Sequence, residues 1–321
     1  MRYSVSLFVL LSVLCLAGCG GDGVTKKADS GALEIAVIPK GLSHQFWLGV
    51  KAGAEAAAAE CGASVVWQGP PKETEIALQI NIVQDMITRG VSAIVMAACD
   101  ENALATVIDQ ADKAGIPVVM VDSGVKSDIP KCLVATDNLE GAKMAAEVLA
   151  GLMDGQGELG LLPFISGAAT SEIREQGFKE GVAAYPEMKI VTTHYTQSDV
   201  STAMNVTSDM LTAHPDLGGI FATNEPGAIG AAQALRAAGK AGKVKLVGFD
   251  STEEEINALK EGVIQALIVQ DPFKMGYEGV NTAVAALQGE TVPSLIDTGV
   301  TVVTLENLES EEVQALLNAG K

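Results

Sequence analysis

Polar and aromatic side chains follow the first apolar run of the chain at a spacing that suits ligand binding. Residues 35–38 form a short, β-prone apolar run that ends at Pro39, because proline cannot donate to a central ladder. Next come a cation, an imidazole and two adjacent rings: Lys40, His44, Phe46 and Trp47. In open α/β sheets, ligands bind beyond the carboxyl ends of the strands. We therefore predict a docking loop, in which polar groups meet ligand hydroxyls and a flat ring covers an apolar ligand face.

Similar polar groups follow the later strands that the sequence predicts. They are carboxylates, amides, a hydroxyl and one guanidinium: Asp122, Ser123, Arg174, Asn224, Asp250 and Gln270. Asp, Asn and Arg can each span two adjacent hydroxyls, so their convergence predicts a site for a neutral polyol. Taken singly, each group has another interpretation. Asp122 and Asp250 suit helix N-caps, Asn224 suits a turn and Arg174 an exposed helix face.

Enzymatic chemistry has little support in the sequence. The three histidines, His44, His194 and His214, are scattered, with no nucleophile–base spacing and no Gly-x-Ser-x-Gly motif. The first strand is not followed by Gly-x-Gly-x-x-Gly, and no Gly-x-x-x-x-Gly-Lys-Ser/Thr loop occurs, which disfavours nucleotide cofactors. No CxxC or His/Cys cluster indicates a metal. We predict a binding protein, not an enzyme, with no cofactor and no metal.

The composition excludes one further class of partner. The chain has 321 residues, enough for two domains of ordinary size. Its 21 basic and 40 acidic residues give a formal net charge of −19. Because no basic stretch offers a phosphate-neutralising face, we predict no binding to nucleic acid.

Strand and helix patterns alternate from residue 32 onward, which predicts βαβ units and parallel sheets. In the first half we predict strands at 35–38, 65–67, 93–96 and 117–121 and helices at 46–61, 73–89 and 101–114. In the second half we predict strands at 161–165, 189–193, 219–222 and 245–249 and helices at 171–185, 201–213 and 227–238. A βα unit (263–269, 272–288), a strand (299–305) and a helix (309–317) follow. We interpret the fold class as α/β, with two similar doubly wound parallel-sheet lobes joined by a multi-crossing hinge.

The first 31 residues carry an export pattern. Arg2 precedes an apolar segment, 5–16, that is too short to span a membrane. The following Leu16-Ala-Gly-Cys19 resembles the bacterial lipobox, which implies that Cys19 is lipid-modified and becomes the mature N-terminus. An ordinary signal peptide with an incidental cysteine is the alternative. We predict a lipoprotein signal peptide at 1–19, a flexible tether at 20–31 and an extracytoplasmic protein, anchored to the membrane through Cys19.

Three cysteines remain beyond this segment, so at most one internal disulfide can form. Cys61 ends an alanine-rich helix and suits core packing. Cys99 and Cys132 both lie in loops beyond strands of the first half and can pair in an oxidising compartment. The sequence leaves that pairing open.

Four sequence strings carry a family resemblance: Val247-Gly-Phe-Asp250, Phe221-Ala-Thr-Asn-Glu225, Ala135-Thr-Asp-Asn138 and Arg174-Glu-Gln-Gly-Phe178. Together they resemble the periplasmic sugar-binding proteins of the ribose type, over residues 34–304. The resemblance implies the type I periplasmic binding protein fold, a monosaccharide or polyol ligand and an ABC importer permease as partner. We predict an N-terminal lobe of residues 32–136 and 271–298 and a C-terminal lobe of residues 137–270 and 299–321.

The resemblance also implies a role for each site residue. Phe46 and Trp47 match two aromatics that stack on the sugar ring, His44 matches a polar Asn, and Asp122 matches the Asp that binds ring hydroxyls. The other hydrogen-bonding positions of the family are matched by Arg174, Asn224, Asp250 and Gln270. The chain departs from the ribose proteins at Ser123 (Arg there), Ala97 (Asn there) and Ser198 (an aromatic there). These departures point away from ribose itself and keep the polyol chemistry.

Alternatives to a sugar importer stay open at this stage. Ile38-Pro39-Lys40 resembles the autoinducer-2 receptor branch, whose Lys contacts the ligand, so a furanosyl signal is the nearest variant. A binding protein that feeds a chemoreceptor or sensor instead of a permease is another. Repressors of the LacI type share the fold but begin with a helix-turn-helix, where this chain carries the lipobox pattern.

Overall fold

The structure, a computed structural model, describes residues 33–319 and contains twelve strands and ten helices within that range. The strands are β1 (Glu34–Ile38), β2 (Ser64–Trp67), β3 (Ala93–Met96), β4 (Val118–Val121), β5 (Leu133–Ala135), β6 (Gln156–Leu162), β7 (Glu187–Thr193), β8 (Leu217–Ala222), β9 (Lys245–Phe249), β10 (Ala266–Gln270), β11 (Leu295–Asp297) and β12 (Val300–Thr304). The helices are α1 (Gln45–Cys61), α2 (Ile76–Arg89), α3 (Ala105–Lys113), α4 (Asn138–Leu152), α5 (Ala169–Val182), α6 (Val200–Ala213), α7 (Glu225–Ala237), α8 (Glu253–Lys260), α9 (Pro272–Leu287) and α10 (Glu311–Leu317). The predicted signal peptide, Cys19 and the tether lie outside the described residues. None of the helices in 33–319 is long and apolar enough to cross a membrane.

The strands form two six-stranded sheets, one in each lobe. The first has the order β11-β5-β4-β3-β1-β2 and is parallel throughout. The second has the order β12-β10-β9-β8-β6-β7 and is parallel except for the edge strand β12, which runs antiparallel to β10. The strand order reverses between β1 and β3 and between β6 and β8, so each sheet has a switch point of the kind at which ligands bind. The predicted fold class of two doubly wound lobes is confirmed.

The chain passes between the two sheets after β5, after β10 and again between β11 and β12. Three crossings make a hinge about which the lobes can rotate as rigid bodies. The exact residues at which one lobe ends and the other begins stay a prediction.

Helices cover both faces of each sheet, so the central strands are buried along their whole length. In β3 and β4 every residue is buried. One apolar cluster lies on each face of each sheet. Strands buried on both faces read as continuous apolar runs, which is why the sequence located them well.

On one face of the first sheet, α1 and α9 approach closely at two glycines. A Cβ atom at Gly53 would lie 1.9 Å from the carbonyl oxygen of Phe273, and one at Gly276 would lie 1.9 Å from that of Val50. Only glycine allows this backbone contact. Helix α9 follows the second lobe in sequence, so this contact fixes the returning chain to the first lobe.

Several elements escaped the sequence prediction, namely β5, α4, α8 and β11. The buried face of α4 consists largely of small residues, including Gly141, Ala142, Ala145 and Ala146, which give a weak apolar period. The strand predicted at 161–165 is β6, which ends at Leu162 before Pro163. By contrast, Gly62 ends α1 as predicted, with a left-handed φ of 67°.

Candidate functional site

The loops at the carboxyl ends of the two sheets enclose a cavity between the lobes. Nine predicted site residues line it: Lys40, His44, Phe46, Trp47, Asp122, Arg174, Asn224, Asp250 and Gln270. The tenth, Ser123, is buried and donates to a carboxylate oxygen of Asp122 at 3.0 Å. Four further lining residues were not predicted: Glu73, Phe164, Glu225 and Pro226. The fold therefore brings the predicted residues together from both lobes.

Left-handed backbone conformations cluster around this cavity. Within residues 33–319, five non-glycine residues have a positive φ: Asp122 (56°), Asp154 (54°), Gln197 (58°), Ser198 (53°) and Asp250 (86°). All but Asp154 border the cleft. Such conformations cost about 1 kcal/mol or more and persist where surrounding contacts impose them, often at functional sites. The capping interpretation of Asp250 is wrong, because Thr252 caps α8.

Lys40 forms a buried ion pair with Asp122. Its Nζ lies 2.8 Å from Oδ2 of Asp122 and donates to Ser123 Oγ at 3.0 Å and to Thr170 Oγ1, across the cleft, at 3.1 Å. Burial lowers the pKa of Lys40, but the charges of Asp122 and Glu73 outweigh it and raise that pKa above its ordinary value. The lysine after β1 thus provides a cation beside Asp122, where the neighbouring residue Ser123 is neutral.

Three hydrogen bonds fix the guanidinium of Arg174 at the second sheet. Nε donates to Asn138 Oδ1 at 2.7 Å, Nη1 to the Thr223 carbonyl at 2.7 Å and Nη2 to Gln270 Oε1 at 3.2 Å. The guanidinium lies 3.6 Å from the ring centroid of Phe249. Although burial lowers its pKa, an arginine stays protonated in proteins. The exposed-surface interpretation of Arg174 is wrong, since the residue is only 2% exposed.

Asp250 and Asn224 are also fixed by hydrogen bonds. Asp250 accepts from Gln270 Nε2 at 2.6 Å and from the backbone N–H of Glu225 at 2.9 Å. Asn224 caps α7 by accepting from the Gly227 N–H, and its Nδ2 donates to Ser198 Oγ at 2.8 Å. Burial raises the pKa of Asp250, and Arg174 and Gln270 oppose that rise. A preorganised set of donors and acceptors results.

Aromatic rings from both lobes face the cavity. Phe46 and Trp47 meet edge to face, with centroids 4.8 Å apart, in the first lobe. Phe164, just beyond β6 in the second lobe, is buried. Lys40 Nζ lies 5.6 Å from the Trp47 centroid and 5.1 Å from the Phe164 centroid. The strand predicted at 161–165 includes Phe164, so the sequence prediction does not place it in the site. The available signal was that this aromatic residue lies near the end of a strand at the switch point of its sheet.

Two unpredicted carboxylates complete the walls and connect the lobes. Glu225 accepts from the backbone N–H groups of Gln45 and Phe46, both at 3.1 Å, and so caps α1 from the opposite lobe. Burial raises the pKa of Glu225 to about 6, against the opposing effects of His44 and these two amides. Glu73, before α2, meets Ser198 of the opposite lobe at 2.8 Å. The helix predicted at 73–89 includes Glu73, whereas α2 begins at Ile76, so the sequence does not indicate the role of Glu73 in the site.

The site is closed. The cavity between these side chains measures about 20 Å³, room for about one water molecule. A larger ligand therefore enters only when the lobes separate, which breaks the cross-cleft contacts of Lys40, Glu73 and Glu225. Within residues 33–319, no group of three or more His, Cys, Asp or Glu side chains is placed to hold a metal ion.

The three cysteines of the described chain are free thiols. Cys99 donates to the Lys40 carbonyl at 3.3 Å, and Cys132 packs in the apolar cluster between the first sheet and helices α1 and α9. The possible pairing of Cys99 with Cys132 is thus absent from the structure. Cys61, expected to pack in the core, is exposed and lies 3.3 Å from Asn281 Oδ1.

Comparison with known families matches residues 35–291 to the periplasmic binding protein domain. The chain belongs to the periplasmic binding protein family. This family consists of substrate-binding proteins of ABC importers, so the prediction of a binding protein and not an enzyme is confirmed. Membership also implies a location outside the cytoplasm.

Relatives of this binding protein carry sugar names. The D-ribose/D-allose-binding protein of Pseudomonas aeruginosa is 34% identical over 283 residues, which cover 84% of this chain and 88% of the relative. An Agrobacterium vitis ABC transporter solute-binding protein solved with bound D-fucose is 38% identical, with a TM-score of 0.86, covering 88% of this chain and 99% of that chain. A carbohydrate transporter solute-binding protein from Agrobacterium radiobacter, in complex with D-arabinose, is 34% identical, with a TM-score of 0.87 and coverages of 90% and 100%.

One buried carboxyl behind the site gives a prediction for stability. Glu255 is 0% exposed; Oε2 accepts from the Thr252 N–H at 2.7 Å, and Oε1 has no hydrogen-bond partner within the described chain. Burial, followed by the charges of Asp250 and Glu225, raises its pKa well above the ordinary value. A carboxyl whose pKa rises on folding opposes folding increasingly as pH climbs above its unfolded value, about 4.3.

We expect Glu255→Gln to match the wild type near pH 4 and to exceed its free energy of unfolding by roughly 1–3 kcal/mol at pH 8. Denaturant unfolding at both pH values measures this difference. Glu254→Gln, an exposed change in the same helix, is the control and leaves both values unchanged within about 0.5 kcal/mol. A Glu255→Gln protein less stable than the wild type at pH 8 would contradict the assignment.

Proposed function

We propose that this binding protein captures a neutral monosaccharide or related polyol by closing its two lobes, and delivers it to the permease of an ABC importer. One observation carries the proposal: fixed hydrogen-bonding groups from both sheets converge between aromatic rings of opposite lobes. Flat rings suit the apolar faces of a sugar, and the polar groups suit its hydroxyl edge. The proposed ligand-binding residues are Lys40, His44, Phe46, Trp47, Asp122, Ser123, Arg174, Asn224, Asp250 and Gln270.

The charge arrangement favours a ligand without a negative charge. Lys40 is already paired with Asp122, and Arg174 already donates to three oxygens. An anionic ligand would therefore meet Glu73, Asp250 and Glu225 without an unpaired cation to offset them. Burying a charge without a partner is costly. Names of relatives support the neutral class, since they mention ribose, allose, fucose and arabinose.

Capture follows from differential contacts with the open and closed forms. In the open form, the strand ends of both lobes are accessible to solvent. A ligand that bonds to Asp122 in one lobe and to Arg174 in the other binds the closed form better, and so shifts the population toward it. No covalent chemistry is needed.

Thermal shifts across a panel of D-ribose, D-allose, D-fucose and D-arabinose test this proposal. A sugar at about 100 times its dissociation constant stabilises the protein by about 2.7 kcal/mol. We expect at least one panel member to raise the melting temperature, and D-glucuronate and D-glucose 6-phosphate, as anionic comparators, to leave it unchanged. No shift with any neutral sugar or polyol would refute the proposal.

The position of Lys40 favours keeping one alternative. Because this lysine lies inside the site, a furanosyl signal of the autoinducer-2 type is the second candidate ligand, with a chemoreceptor or sensor as the partner. Adding autoinducer-2 to the same panel separates the two. A shift with it alone would favour the signal over the sugar.

We also propose that the protein is anchored to the membrane through its N-terminus. In this proposal the chain is cleaved after Gly18, Cys19 carries the lipid, and residues 20–31 form a flexible tether. The support is the pattern in the sequence. Labelling of cells with a radioactive fatty acid, with Cys19→Ser as the control, checks it. Equal labelling of both proteins would contradict lipidation at this residue.

A further inference from the structure

Glu73 is a buried carboxylate with three side-chain partners, two in the first lobe and one in the second. It is 5% exposed. Its Oε1 accepts from Trp47 Nε1 at 2.9 Å and lies 3.4 Å from His44 Nδ1, while Oε2 accepts from Ser198 Oγ at 2.8 Å. The chain makes room for it, because a Cβ atom at Gly41 would lie only 3.1 Å from the Glu73 Cγ.

The contacts of Glu73 keep it ionised. Burial alone would raise its pKa, but Lys40, the hydrogen bond and charge of His44, and the Trp47 N–H outweigh burial and lower that pKa well below its usual range. The effect on His44 is reciprocal. Burial lowers the pKa of His44, but Glu73, Glu225 and Asp250 more than offset this and raise it above its ordinary value.

A carboxylate beside one ring nitrogen of His44 determines which hydrogen bonds the other ring nitrogen can make. Since Glu73 faces Nδ1, the proton of a neutral His44 stays on Nδ1, and Nε2 is left for another partner. The side chain of His44 lines the cavity. Nε2 can therefore meet a ligand hydroxyl, as the acceptor while the imidazole is neutral and as the donor while it is protonated.

The third contact of Glu73 crosses the cleft. Ser198 follows β7 in the second lobe and, like its neighbour Gln197, has a left-handed backbone conformation. Its hydroxyl donates to Glu73 Oε2 and accepts from Asn224 Nδ2. Glu73 and Ser198 belong to different lobes, so this hydrogen bond forms on closure and breaks on opening. Strained backbone of this kind is kept where contacts hold it in place.

We infer that Glu73 is a positioning residue of the binding site: it orients His44 and Trp47 toward the ligand and joins the lobes through Ser198 as they close. The inference rests on the proposed function for the identity of the ligand. It assigns His44 Nε2 to a sugar oxygen, as a donor while the imidazole is protonated. The hydrogen bond from the protonated ring is charge-assisted and stronger than one to the neutral ring, so affinity falls as pH rises through the pKa of His44.

Three variants separate the two roles of Glu73. Glu73→Gln removes the charge, Ser198→Ala removes only the contact between lobes, and Glu75→Gln changes an exposed carboxylate two residues away as the control. NMR titration of the three histidines reports the pKa of His44, with His194 and His214 as internal references. Calorimetry with the panel sugar that gives the largest thermal shift reports affinity from pH 5 to pH 9.

We expect Glu73→Gln to lower the pKa of His44 and to raise the dissociation constant of the sugar at pH 6 by roughly tenfold or more. We also expect this variant to flatten the pH dependence of binding. We expect Ser198→Ala to weaken binding while leaving the pKa of His44 in place, and Glu75→Gln to change neither. An unchanged His44 pKa in Glu73→Gln overturns the inference. If no sugar binds the wild type, the proposed function fails, and the His44 titration alone still decides whether Glu73 controls that ring.

Discussion

Arg174→Lys weakens sugar binding by ~2–4 kcal/mol, a factor of about 30 to 1,000 in the dissociation constant. The guanidinium donates at once to Asn138, Thr223 and Gln270, and lies 3.6 Å from the ring centroid of Phe249. A lysine keeps the charge but cannot reproduce the planar fork of donors or the close contact with the ring. The loss leaves buried acceptors unpaired and releases Gln270, which in turn holds Asp250. Calorimetric titration with the panel sugar of largest thermal shift measures the change.

Arg236→Lys is the matched control for this experiment. Arg236 pairs with Glu261 on the protein surface, where such pairs contribute about 0–1 kcal/mol. Its substitution leaves the affinity unchanged. A dissociation constant for Arg174→Lys within about threefold of the wild type would place the arginine outside the binding machinery.

Gly276→Ala destabilises the protein by ~3 kcal/mol or more, because no side-chain rotation can relieve a clash with backbone atoms. The new Cβ would lie 1.9 Å from the Val50 carbonyl oxygen and 2.8 Å from the Ala54 nitrogen, and both are backbone atoms. Helix α9 must therefore move away from α1, which opens the packing between them. Thermal unfolding measures the loss, as a fall in melting temperature of roughly 6–12 °C.

Gly151→Ala tests whether space or flexibility decides the outcome. Gly151 lies in the exposed last turn of α4, and an added Cβ would have no atom within 4 Å. Alanine favours a helix over glycine by about 1 kcal/mol, so this variant keeps or raises the melting temperature. Equal melting temperatures for Gly276→Ala and the wild type would refute the close contact of α1 with α9.

The sequence predicted the architecture well because its central strands are buried on both faces. Continuous apolar runs such as 93–96 and 117–121 are typical of such strands, and Gly62 marks a helix end through its left-handed backbone. Elements that pack through small residues were harder to predict from the sequence. Helix α4 packs through alanine and glycine, whose weak apolar period did not reveal it.

Site residues were predictable where they directly follow a strand, as with Asp122 and Asp250. Glu73 was not, because it lies in a loop before α2 and reaches the cavity only through the fold. Glu225 was also hidden, since it acts by capping α1 from the opposite lobe. Contacts that form between lobes have no signature in local sequence spacing.

Lys40 supplies a cation beside Asp122. The resemblance to the ribose proteins matches Ser123 to an arginine, and in this structure the Nζ of Lys40, from the loop after β1, lies 2.8 Å from a carboxylate oxygen of Asp122. Asp122 therefore has a cation beside it although residue 123 is neutral. Lys40 also donates to Thr170 of the second lobe, so this hydrogen bond breaks when the lobes separate.

Calorimetric titration of the protein with the neutral sugars of the panel tests the central claim most directly. The account predicts one binding site per chain for at least one neutral monosaccharide, and at least a 30-fold loss of affinity in Asp250→Ala, whose carboxylate Gln270 and the Glu225 amide hold in the cavity. Heat from charged ligands only, with every neutral sugar and polyol silent, would contradict it.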